Sequence, residues 1–285
     1  MALPTELEPI PYRATLEALM PRPLQPRPSP PPLSSRILSI LVRTPLFLAG
    51  TAVCGSLSLL ASCFEKDGRR QHRIAQAWAR LSMFFAGASL SIDGERNLHK
   101  APVAVYACNH LSYMDTPAIF SALPFQFRIV ARHNLWKVPF IGWHLERSGQ
   151  IPVNVGNPRA SIASLSGGVK TLRAGLPLFI FPEGGRTHTG VPGDFLNGPA
   201  FMAIRAQVPI IPMALIGTHE LLPMHSKTFY PVPVVLAVGE PISTEGRTAR
   251  EVDALTAELA RAIEALYFTH SWRERLVPVD PVASA

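Results

Sequence analysis

The pattern of apolar and polar positions changes character along the chain. From Thr44 to Phe64 the sequence TPLFLAGTAVCGSLSLLASCF runs for 21 residues without a charge. Arg36 and Arg43 precede it, and Glu65-Lys66-Asp67-Gly68-Arg69-Arg70 follows. A helix of that length reaches across a bilayer core of ~30 Å, although Gly50, Gly55, Thr51, Ser56, Ser58 and Ser62 dilute its apolarity. A second apolar stretch, Leu81 to Ile92, is too short to cross and is expected in the interface or against a sheet. Basic residues lie on both flanks, so charge assigns no orientation. The pair of helices is expected to hold the chain on a membrane; the competing reading is a buried helix in a soluble protein.

Beyond residue 92 short apolar runs alternate with amphipathic ones. Strands are predicted at Val103–Ala107, Phe127–Ala131, Ile151–Val155, Leu176–Phe181, Ile210–Leu215 and Val234–Val238, short apolar runs of the kind a sheet covered on both faces shows. Between them Asn157-Pro158 reads as the start of a helix with Ile162, Leu165, Val169 and Leu172 on one side. Thr248 and Glu251 form a capping-box pattern ahead of Val252, Leu255, Leu259, Ile263 and Leu266. Alternating strands and helices predict an α/β fold, a central mostly parallel sheet flanked by helices. The expected organisation is a Pro-rich tail over 1–35, a hydrophobic helical membrane-associated segment over 36–92, the α/β domain over 93–268 and a C-terminal tail over 269–285. Ten prolines among the first 32 residues keep that tail extended, and it lacks the features of a secretory signal.

Composition narrows the function. Hydrophobic residues make up 47% and charged residues 16%, which excludes disordered and fibrous proteins. A net charge of +7 on so few charges points to an anionic surface or small anions as partners. With only 5 Tyr, no aromatic RNP-type run and no basic stripe, nucleic acid is not expected as a partner. Cys54, Cys63 and Cys108 form no CxxC pair and read as small buried hydrophobes in a reducing compartment.

Candidate chemistry sits after two of the predicted strands. Cys108-Asn109-His110-Leu111-Ser112-Tyr113-Met114-Asp115 follows the first core strand, where ligands collect in α/β sheets. A carboxylate five residues after a histidine in a tight turn can fix the imidazole tautomer and leave the other nitrogen as a base; alone, the pair is equally a loop histidine beside a helix cap. Phe181-Pro182-Glu183-Gly184-Gly185-Arg186 ends another strand, with glycines that let backbone N–H groups approach an anion and an arginine suited to phosphate. Ser164-Leu165-Ser166-Gly167-Gly168 lacks the first glycine of a nucleophile elbow, and no phosphate-binding glycine loop or metal-ligand cluster is present.

Asn109-His110-(four residues)-Asp115, followed about 70 residues later by Phe181-Pro182-Glu183-Gly184-Gly185-Arg186, resembles the glycerolipid acyltransferase family, in particular its lysophosphatidate acyltransferases. Val208-Pro209-Ile210-Ile211-Pro212 resembles the family's fourth block and Ser148 to Val155 lies where the second stands. The resemblance implies His110 as general base with Asp115 orienting it, and substrate contacts from Glu183, Gly184, Gly185, Arg186, Arg132 and Asn109. It also implies acyl-CoA or acyl-carrier protein as donor, no cofactor and no metal, a membrane lipid acceptor, and an active site on the cytoplasmic face of a membrane. Two basic positions of the family pattern are replaced here by Val155 and Leu196. The acceptor phosphate is then expected on Arg132, Arg186 and Arg159, or the acceptor is a different lysolipid or an amino-acid-linked lipid. A lipid-binding protein without catalysis is the non-enzymatic alternative.

Overall fold

The computed structural model describes residues 32–65, 67–138, 140–154, 158–187 and 189–273. Helix α1 runs from Leu33 to Ala61, 29 residues with a π-helical turn at Ser39–Arg43, and α2 from Arg69 to Ala86. The strands are β1 Ser89–Asp93, β2 Val105–Cys108, β3 Arg128–Arg132, β4 Ile151–Val153, β5 Leu178–Ile180, β6 Ile210–Ile216 and β7 Pro233–Val238. The remaining helices are α3 Asp115–Ala122, α4 Ile141–Arg147, α5 Pro158–Arg173, α6 Gly198–Ala206, α7 Thr218–Leu221 and α8 Val252–His270.

The strands form one sheet in the order β1-β7-β6-β2-β5-β3-β4. From β6 to β4 all neighbours are parallel, whereas β7 runs antiparallel to β6 and carries β1 parallel to itself. Alternate residues of the central strands feed two cores, because side chains on a strand point to opposite faces. Tyr106, Phe179, Ile211 and Met213 pack under α2 and α3, while Val105, Leu178, Ile180 and Ile210 pack under α5, α6 and α8. The six predicted strands are all present, and Thr248 and Glu251 form the predicted capping box. Asn157 lies outside the described residues.

The boundaries need correction at both flanks. The stretch from Leu81 to Ile92 is not one helix: α2 stops at Ala86, Gly87 turns the chain with a left-handed φ of 74°, and β1 joins the sheet edge. Helix α1 begins at Leu33, inside the range read as tail; residues 1–31 lie outside the described residues. The C-terminal tail also starts later than expected. His270 is buried, with Nε2 2.7 Å from Asp93 Oδ2, and Arg273 donates through Nη2 to Glu220 Oε1 at 2.6 Å. Cys54 and Cys108 are buried as expected, but Cys63 is exposed in the turn after α1.

Helix α1 is long and apolar enough to cross a membrane, yet almost none of its most apolar window is buried against the protein. Leaving that much apolar surface in water is unfavourable, which points to a membrane as the surface that covers it. Both ends of α1 are nevertheless tied to the α/β domain. Ser39 Oγ accepts from Phe229 N at 2.7 Å and Thr44 Oγ1 donates to Lys227 O at 3.0 Å. At the other end Ser58 Oγ lies 2.7 Å from His144 Nδ1, and Arg147 Nη1 donates to Ser62 Oγ at 3.1 Å.

Candidate active site

The site is built where β2 and β5, neighbours in the sheet, both end. The β2 turn delivers His110 and the β5 turn delivers Glu183 to Arg186. His110 Nδ1 is 2.7 Å from Asp115 Oδ2, and the same oxygen accepts the backbone N–H groups of Leu111 at 2.6 Å and Ser112 at 2.8 Å. Asp115 is fully buried at the first turn of α3, so its carboxylate serves at once as loop staple and imidazole partner. The Ser112 hydroxyl donates to Leu222 O at 2.9 Å and fixes the far side of this turn. With Nδ1–H committed to the carboxylate, Nε2 is left as the basic nitrogen, and it has no partner among the described residues.

The two turns are laced together through His110 itself. Its backbone N–H donates to Glu183 Oε1 at 2.9 Å and its carbonyl accepts from Thr187 N at 3.0 Å. The Phe181 ring lies flat on the imidazole, with centroids 3.9 Å apart and an 11° angle between planes. The sequence shows Phe181 only as an aromatic residue at a strand end; its place against the imidazole comes from the structure. Nor does the sequence show the clamp from α8: Tyr267 Oη donates to Gly190 O at 2.7 Å, holding the loop that continues from Arg186.

Burial pushes the Glu183 carboxyl up to about 8; His110 N–H opposes this, the nearby Asp115 charge adds to it, and Gly193 N–H opposes it. Glu183 is therefore largely protonated at neutral pH. The folded state keeps a proton that an ordinary glutamate, near 4.5, has released, so this group's contribution falls as pH rises from about 4.5 to about 8. Relative to Glu183→Gln, the wild-type protein is expected to lose stability across that window, by at most about 1.4 kcal/mol per pH unit. Urea unfolding of the two detergent-solubilised proteins between pH 5 and pH 8 checks this; a pH-independent difference would mean that Glu183 is ionised in the fold. Burial, with Asp115 and Glu183 adding, also raises the Cys108 thiol well above its ordinary value, so it is no nucleophile.

The arginines take different places. Arg132, at the end of β3, donates from Nε to Gly184 O at 2.6 Å. A Cβ on residue 185 would come 3.0 Å from Arg132 Nη2, so a larger residue there would push the guanidinium tip aside. Arg186 lies over the Tyr113 ring, its guanidinium carbon 3.7 Å from the centroid, and its buried Nε has no hydrogen-bond partner. Arg132 and Arg186 thus lie on the same glycine turn beside His110. The Arg159 side chain is outside the description. Arg69 and Arg70 are paired with Asp67 and Glu65, and Lys66 lies outside the described residues.

Asn109 departs from the expectation. It is completely buried, its amide donating to Leu215 O at 3.0 Å and accepting from Leu215 N at 2.7 Å. Its side chain continues the β2–β6 ladder after the backbone has turned away, and its burial keeps the amide from the open face of the site. Asn109→Ala is expected to cost about 2–4 kcal/mol, since both Leu215 groups would be stranded in the core. Thermal unfolding measures it; a cost below about 1 kcal/mol would contradict the ladder role.

Residues 89–216, from β1 to the end of β6, match the family model Acyltransferase. The 1-acyl-sn-glycerol-3-phosphate acyltransferase LPAT1, chloroplastic, of Arabidopsis thaliana is 31% identical over 157 residues, covering 55% of this chain and 44% of that protein. The human 1-acyl-sn-glycerol-3-phosphate acyltransferase beta is 27% identical over 222 residues, covering 76% of this chain and 80% of its own length. The chain spans about half the length of the first plant relatives that it matches. Among solved structures, the 1-acyl-sn-glycerophosphate (LPA) acyltransferase PlsC from Thermotoga maritima shares the fold, with a TM-score of 0.66 at 23% identity over 81% of this chain and 97% of that one.

Proposed function

We propose that this protein is a membrane-associated 1-acyl-sn-glycerol-3-phosphate O-acyltransferase, converting lysophosphatidate to phosphatidate with an acyl-CoA or acyl-carrier-protein thioester. The observation that carries the reading is the His110 Nδ1–Asp115 contact of 2.7 Å, which leaves Nε2 as the available base beside the Arg132 and Arg186 turn. The acceptor O–H gives its proton to Nε2 as its oxygen bonds to the thioester carbonyl carbon. The C–S bond then breaks and the leaving thiolate takes the proton from the imidazolium. Asp115 opposes the positive charge on the ring in between. Arg132 and Arg186 receive the acceptor phosphate, and Phe181 holds the ring plane.

An α1 fixed to the domain at Ser39 and at Ser58 lies along it and cannot carry the chain across to the far side. These bonds support attachment through one leaflet; we take the site to be on the cytoplasmic face, which the small buried cysteines Cys54 and Cys108, suited to a reducing compartment, favour. Leu196, exposed where the family pattern has a basic residue, favours a second acceptor class, a lysolipid with a different head group. The deciding experiment is release of free thiol from palmitoyl-CoA by the purified protein. Release that requires lysophosphatidate supports the main reading; release only with another lysolipid transfers it to the second. No release with any acceptor, from either CoA or carrier-protein donors, sinks both.

A further inference from the structure

Apart from α1, Phe64 that follows it, and α2, the exposed large apolar side chains fall almost entirely in one short segment from the end of β3 into the first turn of α4. Leu135, Val138, Phe140, Ile141 and Trp143 are 40% to 55% exposed there; among the described residues only Tyr113 and Leu196 otherwise join them. The site and the core use none of these side chains.

The segment is built to hold that display. Residues His133–Lys137 form a 3₁₀ turn, and Gly142 N donates to Val138 O at 2.7 Å as α4 begins. A Cβ at position 142 would sit 2.1 Å from Trp136 O, so the backbone folds back on itself as only glycine allows. Phe140 adopts φ of 63°, a left-handed conformation that a bulky residue keeps only when the surrounding structure imposes it. Trp136 is half-buried instead, donating from Nε1 to Glu146 Oε2 at 2.9 Å.

We propose that this segment is a second membrane contact, with the Phe140, Ile141 and Trp143 side chains inserted among phospholipids at the level of the α1 C-terminus. Continuity supports it first: α4, which carries Ile141 and Trp143, is bonded to the end of α1 through Ser58–His144 and Arg147–Ser62. Charge supports it next. Arg132, His133, Lys137 and Arg147 are exposed around the apolar side chains, and the one acidic residue, Glu146, is engaged by Trp136. A phenyl and an indole amid aliphatic residues, ringed by cations, match the apolar and anionic layers of a lipid surface. The site then gains from the position. Arg132 begins the segment and bonds the Gly184 carbonyl, so the lipid contact is joined directly to the turn beside His110.

The test uses the full chain on vesicles of phosphatidylcholine and phosphatidylglycerol whose acyl chains carry bromine near the head group. Trp143 emission, obtained by subtracting the Trp143→Phe protein from wild type, is expected to fall by about half or more on brominated vesicles. Phe140→Ala and Trp143→Ala together are expected to weaken vesicle binding by at least about tenfold. An unchanged thermal transition in detergent keeps that loss from being misfolding. Unquenched Trp143 on vesicles that hold the protein overturns the proposal and assigns the patch to a protein partner. The proposal rests on membrane association, not on acyl transfer, and quenching is read without turnover, so failure of the acyltransferase reading leaves this result intact.

Discussion

His110→Ala is expected to lower kcat for acyl transfer ~10³-fold while leaving a folded protein. The figure is the middle of the ~10²–10⁴-fold that a positioned general base contributes. The imidazole is mostly shielded, stacked on Phe181 and bonded to a fully buried Asp115, so few solvent molecules can substitute for it in place. KM for either substrate is expected to change little, because the arginines and the apolar surface stay. Removal of the ring leaves a slot of imidazole shape against Phe181, and added imidazole is expected to restore part of the rate in a pH-dependent manner. A folded His110→Ala protein with wild-type turnover would remove the base from the mechanism and leave positioning of the two substrates as the source of catalysis.

Asp115→Asn is expected to cost ~10²–10³-fold in kcat, for a different reason. One oxygen of Asp115 accepts from His110, Leu111 and Ser112, and an asparagine oxygen in the same place still accepts from all three. The charge disappears: the imidazolium formed as the acceptor loses its proton no longer faces a carboxylate. The amide nitrogen would occupy the place of Oδ1, which is buried without a partner, so stability is also expected to fall by about 1–3 kcal/mol. Since the two residues act as one unit, the double variant should be no slower than His110→Ala alone. Steady-state kinetics of the three variants decides it. Activity of Asp115→Asn within a few-fold of wild type, or full multiplication of the two losses, would contradict the coupling.

The strands were legible because a sheet buried on both faces shows itself as short continuous apolar runs, and this is how β2, β5 and β6 read. β1 escaped for the same physical reason in reverse. Ser89-Leu90-Ser91-Ile92-Asp93 is an edge strand whose residues alternate between exposed and half-buried, and it follows an apolar helix without a polar break. Strand direction leaves no trace in such runs, so the reversal of β7 came only from the structure. In the site, His110 and Asp115 were legible as a spacing within one turn, and the glycine turn as a composition. Asn109 was not: its amide pairs with Leu215, 106 residues away, and no local pattern announces a side chain that imitates a backbone. Tyr267 and Arg273 escaped likewise, since their partners Gly190 and Glu220 are brought near by the docking of α8.

The Arg186–Tyr113 stack makes the cation's resting place a competitor of its ligand. A guanidinium on a partly exposed ring gains about 0.5–2 kcal/mol, and any anion that draws Arg186 away must first repay that. On the proposed reading, a phosphate ester that presents two oxygens, one to the unpartnered Nε and one to an Nη, does so more readily than an anion with a single weak acceptor. The tyrosine thereby sets the threshold that an anion must pass before Arg186 leaves the ring.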